Sequence, residues 1–148
     1  MRIARHILGV LAGGMLAASA AAADFRSVAP NAAILYDAPS AKAKKLYIVN
    51  RGYPLELTVQ LEGWTKVRDA SGAFSWIESK DLADKRTVIV KPPLAAVRQG
   101  PDDKAPLVFE AQQNVVLEIT GSDPGGWLHV RHEDGASGYI KAAQVWGS

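Results

Sequence analysis

The sequence predicts an all-β protein made of two small barrels in tandem, and three observations predict it. The first is a duplicated stretch. Gly63-Trp64-Thr65-Lys66-Val67-Arg68 is followed by Gly72 and Trp76-Ile77, and Gly126-Trp127-Leu128-His129-Val130-Arg131 by Gly135 and Tyr139-Ile140. The spacing is the same in both: Gly-Trp-x-x-Val-Arg, three residues, Gly, three residues, aromatic-Ile. Each copy has the form of a β-hairpin, in which a Val-bearing strand meets a Gly-bearing turn and a second strand returns. The second observation is alternation. Pro54 to Leu61 sets Leu55, Leu57, Val59 and Leu61 to one side, and Val115 to Thr120 does the same with Val115, Leu117 and Ile119. The third is register. The copies are offset by 62 residues before the loop Gly121–Gly125 and by 63 after it. Because each copy carries its own hairpins and apolar set, the duplication makes two barrels and not a solenoid.

The composition agrees with this. A chain of 148 residues suits one ordinary domain or two small ones, and 48% apolar with 22% charged residues is globular. The net charge of +2 comes from Arg2 and Arg5; the rest holds 15 basic and 15 acidic residues. A neutral body gives no electrostatic reason to expect nucleic acid or an anionic membrane as a partner. With no cysteine there is no disulfide, thiol catalysis, cysteine metal site or lipid-modified cysteine.

Met1 to Ala23 has the parts of a helical signal peptide. Arg2, Arg5 and His6 head an apolar run from Ile7 to Ala18, and Ala21-Ala22-Ala23 supplies the small residues a signal peptidase accepts. The expected mature chain is residues 24–148, periplasmic or secreted, with no stable membrane anchor after cleavage.

The first repeat, residues 24–84, opens on Asp24–Pro30, small and polar, expected to be a mobile lead-in. Ala33–Tyr36 is a short strand, Asp37-Ala38-Pro39-Ser40 a turn, Ala41–Lys45 a basic loop and Leu46–Val49 a second strand. Asn50-Arg51-Gly52 turns the chain into the alternating strand, and the Trp64 hairpin follows. Ser79–Leu82 reads as one helical turn that drops Leu82 onto the barrel end. Pro92-Pro93 breaks the chain soon after the boundary, expected between Ala83 and Lys91. Residues 85–148 then replay the pattern. Gly100-Pro101 answers Ala38-Pro39, Leu107–Phe109 answers Lys45–Tyr47, and Asn114 stands where Gly52 stands, as the usual substitute at positive φ.

Each copy resembles the bacterial SH3 domain, a small five-stranded barrel. The resemblance rests on the Pro39 or Pro101 turn, the alternating strand, Gly-Trp-x-x-Val-Arg, the turn Gly and the terminal aromatic-Ile, and covers nearly all of residues 31–146. The family commonly has Gly before the final aromatic. Gly138 keeps it and Ser75 does not, so a small rearrangement is expected in the first hairpin. Ala33–Asp37 also looks like the opening of eukaryotic SH3 domains. The tryptophan pair and later Pro-Asn-Tyr segment of a polyproline groove are missing, so polyproline binding does not follow.

The candidate ligand-binding residues are the large aromatics Tyr36, Tyr53, Trp64, Trp76, Trp127 and Tyr139. A unit near 60 residues buries little surface, and each buried aromatic contributes on the order of 2–3 kcal/mol, so packing has the first claim on them. A Trp beside Gly at a strand start is often only partly buried, which leaves a stacking surface for a peptide or sugar open. No catalytic set, cofactor motif or metal site is expected. His129 and His132 have opposite strand parity, the first copy has no histidine, and there is no phosphate loop or HExxH. The family resemblance implies a non-enzymatic binding role at the cell envelope, with peptidoglycan peptides or an envelope protein as partner. The alternative is a structural or assembly module with no small-molecule ligand.

Overall fold

A computed structural model of the protein describes residues 22–148, so the expected signal peptide lies, but for its last two residues, outside the described residues. The chain forms two seven-stranded antiparallel sheets. The first contains β1 (Asp24–Val28), β2 (Ala32–Tyr36), β3 (Lys45–Asn50), β4 (Pro54–Leu61), β5 (Trp64–Arg68), β6 (Phe74–Glu78) and β7 (Leu82–Ala83). The second contains β8 (Thr87–Val90), β9 (Leu94–Arg98), β10 (Leu107–Gln112), β11 (Val116–Asp123), β12 (Trp127–Arg131), β13 (Ser137–Lys141) and β14 (Val145–Trp146). The orders are β3-β2-β6-β5-β4-β1-β7 and β10-β9-β13-β12-β11-β8-β14, so the duplication is complete at the level of topology. A single 3-10 turn, Ser79–Asp81 or Ala142–Gln144, precedes the last strand of each sheet.

Local chemistry accounts for the turns. Gly52 has φ +82° and its counterpart Asn114 φ +68°, and each donates its amide across to the carbonyl of Val28 or Val90. The hairpin turn after β5 is closed by the Asp69 carboxylate, which accepts from the amides of Ser71 and Ala73.

Each sheet folds around its own core. Val28, Ala33, Leu35, Leu55, Val67 and Ile77 fill the first; Tyr53, Leu57 and Leu82 pack against them. The second core has ten buried members, among them Val88, Val97, Leu117, Leu128, Val130 and Ile140. One of the four extra members has a local cause. Leu128 is matched by Thr65, buried with its hydroxyl 2.8 Å from Ser79 Oγ, so the first unit spends a core position on a polar pair.

Asp24–Pro30 is not a loose lead-in. β1 pairs with β4 and β7, and Phe25, Ser27 and Val28 are buried. Only Val28 reaches the core of its own unit. Phe25 meets Trp146 of the second unit edge to face, centroids 5.0 Å apart, with the Arg86 guanidinium over its ring. Ser27 Oγ donates to the Lys85 carbonyl, and Thr87 Oγ1 to the Gly52 carbonyl, both at 2.6 Å. A Cβ on Gly147 would lie 2.6 Å from the Thr87 carbonyl oxygen and 3.0 Å from Pro54, so Gly147 sits in a close-packed seam between the units.

Alternation along β4 also stops partway. The ladder pairs Leu57 with Val67 and then Val59 with Lys66, leaving Thr58 as an extra residue. A bulge of this kind reverses which face later side chains take. Leu55 stays in the core while Val59 and Leu61 turn outward and are exposed. β11 has its bulge at Thr120, where Ile119 pairs with Val130 and Gly121 with His129.

The two hairpins keep one register, Val67 opposite Ser75 and Val130 opposite Gly138, so the Ser75 substitution does not shift the ladder. It does leave Ser75 Oγ buried without a hydrogen-bond partner. At Gly138 a Cβ would lie 2.5 Å from the Arg98 carbonyl oxygen and 2.8 Å from Val97 Cγ1. Opposite outcomes follow for one substitution type. Ser75→Ala removes an unsatisfied hydroxyl and is expected to be neutral or to stabilise by up to about 1 kcal/mol. Gly138→Ala is expected to cost roughly 1–3 kcal/mol through overpacking. Urea denaturation of both variants checks the pair.

Candidate functional site

The bulge at Thr58 builds the candidate site. It turns the end of β4 outward, and the Thr58 hydroxyl satisfies the Lys66 carbonyl at 3.0 Å. On the outer face of the first sheet the ladder then lines up three rows. One runs Leu61, Trp64, Glu78; the next runs Val59, Lys66, Trp76, Tyr36; the third runs Glu56, Arg68, Phe74. Residues directly opposite on neighbouring strands are close enough for their side chains to pack.

The rows hold one apolar surface with a charged border. Tyr36 is buried and meets Trp64 edge to face, centroids 5.4 Å apart at 85°. Trp64 and Trp76 are half-buried. Phe74, Val59 and Leu61 are 54%, 43% and 51% exposed. The Lys66 ammonium stands 5.2 Å from the Phe74 ring centroid, a cation–π contact. Arg68 pairs with Glu56, and Lys80 with Glu78 at 3.2 Å. This face can take an apolar or aromatic ligand surface flat against rings while the border charges meet polar groups.

Of the six aromatics singled out from sequence, the fold thus brings Tyr36, Trp64 and Trp76 together. Tyr53 is elsewhere, half-buried against the first core, where burial raises its phenol above the ordinary tyrosine range. Trp127 and Tyr139 share the equivalent face of the second unit. That face is polar. Asp123, Gly121, His129, Arg98, Ser137 and Lys141 stand where Leu61, Val59, Lys66, Tyr36, Phe74 and Glu78 stand in the first unit. His129 lies 4.8 Å from the Tyr139 ring with Nδ1 2.6 Å from the Thr120 hydroxyl, and Lys141 reaches both the Trp127 ring and the Asp103 carboxylate.

Phe74, Val59 and Leu61 are members of the face that sequence reasoning missed. Phe74 carried a usable signal: it lies two residues before Trp76 on one strand and so shares its side. His132 is apart from His129, at the turn, with Nδ1 3.1 Å from Asp134. Among the described residues no three His, Cys, Asp or Glu side chains group so as to hold a metal ion.

Among the described residues one ion pair is repeated in both units, as Glu56–Arg68 and Glu118–Arg131. The Arg131 hydrogen bond, helped by Lys85, holds the Glu118 carboxyl below the usual range. Such a group stabilises the fold above its unfolded pKa, near 4.3, and the contribution is lost as pH falls through the folded value. Glu118→Gln is therefore expected to be less stable than wild type at neutral pH by about 0.5 kcal/mol. The gap should narrow as pH falls below the unfolded carboxyl value, as read by denaturant midpoints at neutral and at acid pH.

With the geometry in place, comparisons identify the units. The model of the bacterial SH3 domain family matches twice, over residues 29–84 and 91–147. Similar solved structures include NlpC2 from Trichomonas vaginalis, 16% identical with a TM-score of 0.40 over 88% of this chain and 50% of that one. NlpC1 from the same organism is 16% identical with a TM-score of 0.40, over 89% and 48%. An NlpC/P60 family protein from Bacillus cereus ATCC 10987 is 15% identical with a TM-score of 0.39, over 82% and 55%. The chain spans about half the length of these structures. No curated protein matches it. Two matches that together span most of the sequence, on two sheets of one topology, mean that the chain belongs to the bacterial SH3 domain family, in tandem copies.

Proposed function

We propose that the protein is an exported, non-enzymatic binding module of the bacterial cell envelope. In this reading residues 1–23 are a signal peptide, and residues 24–84 and 85–148 are two small SH3-like barrels in the periplasm or outside the cell. The ligand is a peptidoglycan peptide or an envelope protein, and it binds the outer face of the first unit. The carrying observation is the apolar lattice of exposed Phe74, Val59 and Leu61 around half-buried Trp64 and Trp76, on a unit with a small core. Exposing that much apolar surface costs solubility, and a binding role explains its retention.

The alternative is a structural module whose aromatics serve the contact between units. Against it, the rings at that contact are Phe25 and Trp146, and not the lattice. Of the two histidines among the described residues, His129 pairs with the Thr120 hydroxyl and His132 with the Asp134 carboxylate.

Cosedimentation with purified sacculi tests the proposal, with Phe74→Ser as the informative variant because serine occupies the equivalent position, Ser137, of the second unit. Wild type is expected to be retained at low salt, and Phe74→Ser to lose about fivefold or more in affinity at unchanged melting temperature. A wild type that stays in the supernatant removes the wall as ligand; a variant retained as well as wild type removes this face as the site.

A further inference from the structure

The seam between the units leaves a cleft of about 780 Å³ beside it, on a different part of the molecule from the aromatic face. A volume of this order suits a small ligand. Neither unit forms the cleft alone. Ala29, Arg51 and Gly52 come from the first, and Val116, Glu118 and Arg131 from the second. The Thr87–Gly52 and Ser27–Lys85 hydrogen bonds fix its width, and both hydroxyls are consumed in doing so.

The charges in the cleft do not cancel. Arg51, Lys85 and Arg131 line it, against Glu118 and Glu133. Glu118 alone accepts from both Arg131, at 2.9 Å, and Lys85, at 3.3 Å, so that cluster keeps one positive charge. Arg51 is exposed and has no ion pair or side-chain hydrogen bond among the described residues. With Glu133 subtracted, one positive charge is left over in a concave site whose remaining lining includes Ala29 and Val116. A free guanidinium in such a place recognises a planar oxyanion through paired N–H donors. A surplus of one matches a monoanion, and a small apolar floor matches a small side chain next to it.

We propose that the cleft between the two units is a second binding site, one that takes the C-terminal carboxylate of a short peptide with small apolar side chains, with Arg51 as the anchoring residue. The site explains a use for the duplication that neither unit has alone. It stands independently of the aromatic face, since the two share no residues.

The test is an NMR titration of the ¹⁵N-labelled full chain with N-acetyl-trialanine, its C-terminal amide, and inorganic phosphate. Saturable shifts are expected at Arg51-Gly52, Lys85–Thr87 and Arg131–Gly135 with the free carboxylate. The amide should bind at least about tenfold more weakly, and Arg51→Gln should lower affinity for the carboxylate by about tenfold. Arg51→Gln should not move the melting temperature, because the side chain holds nothing in the fold. No saturable shift at roughly 10 mM peptide, equal binding of the amide, shifts confined to the Trp64–Phe74 face, or an unaffected Arg51→Gln would each overturn the proposal. Phosphate binding more tightly than the peptide would overturn the carboxylate assignment in favour of a phosphate-bearing ligand. Failure here leaves the sacculus experiment untouched, and the reverse also holds.

Discussion

Everything in this molecule depends on two undersized cores being closed against each other. A sheet of about sixty residues covers too little apolar surface to be comfortable alone. The first unit has the smaller core, with six buried apolar members, a half-buried Thr65–Ser79 pair and an unsatisfied Ser75 hydroxyl. Its first strand therefore turns one side toward the neighbour. Phe25 spends its ring on Trp146, an arrangement worth about 0.5–1.5 kcal/mol beyond the area it buries. Backbone carbonyls of Gly52 and Lys85, which a turn and a linker would leave to water, accept from Thr87 and Ser27 instead. A Cβ on Gly147 would lie 3.0 Å from Pro54 of the first unit, so the seam is close-packed there.

Once that contact holds the pair, the outer surfaces are free to differ. Both units keep the backbone features that shape the face: a threonine at the bulge, a tryptophan opening the hairpin and a Glu–Arg pair at the border. They exchange almost everything else on it. Leu61 becomes Asp123 and Phe74 becomes Ser137, so one face is apolar and its twin is polar. The bulge is what gives these substitutions meaning, because without it Val59 and Leu61 would point inward.

Much of this was legible in the residues. The offsets of 62 and 63 locate every strand of the second sheet from the first, and Asn114 takes the positive φ that Gly52 takes. What escaped did so for physical reasons. Asp24-Phe25-Arg26-Ser27-Val28 reads as polar because its buried side meets the other unit, which periodicity within one repeat cannot register. Strict alternation in Pro54–Leu61 gives no sign that Thr58 is an inserted residue, so parity runs true to Leu57 and then inverts. Tyr53 was grouped with the surface aromatics by residue type, yet it sits beside the turn that leads into the core strand. Trp146 has only Ala83 as its counterpart in the first copy, so the repeat could not flag it.

The coupling of the two units is the claim on which the cleft and the separation of roles rest. Differential scanning calorimetry of the full chain tests it most directly, with Trp146→Ala alongside. One transition is expected for wild type, with calorimetric and van't Hoff enthalpies equal, and Trp146→Ala should lower its midpoint or split it in two. Two separate transitions in wild type, with Trp146→Ala moving neither, would contradict the account.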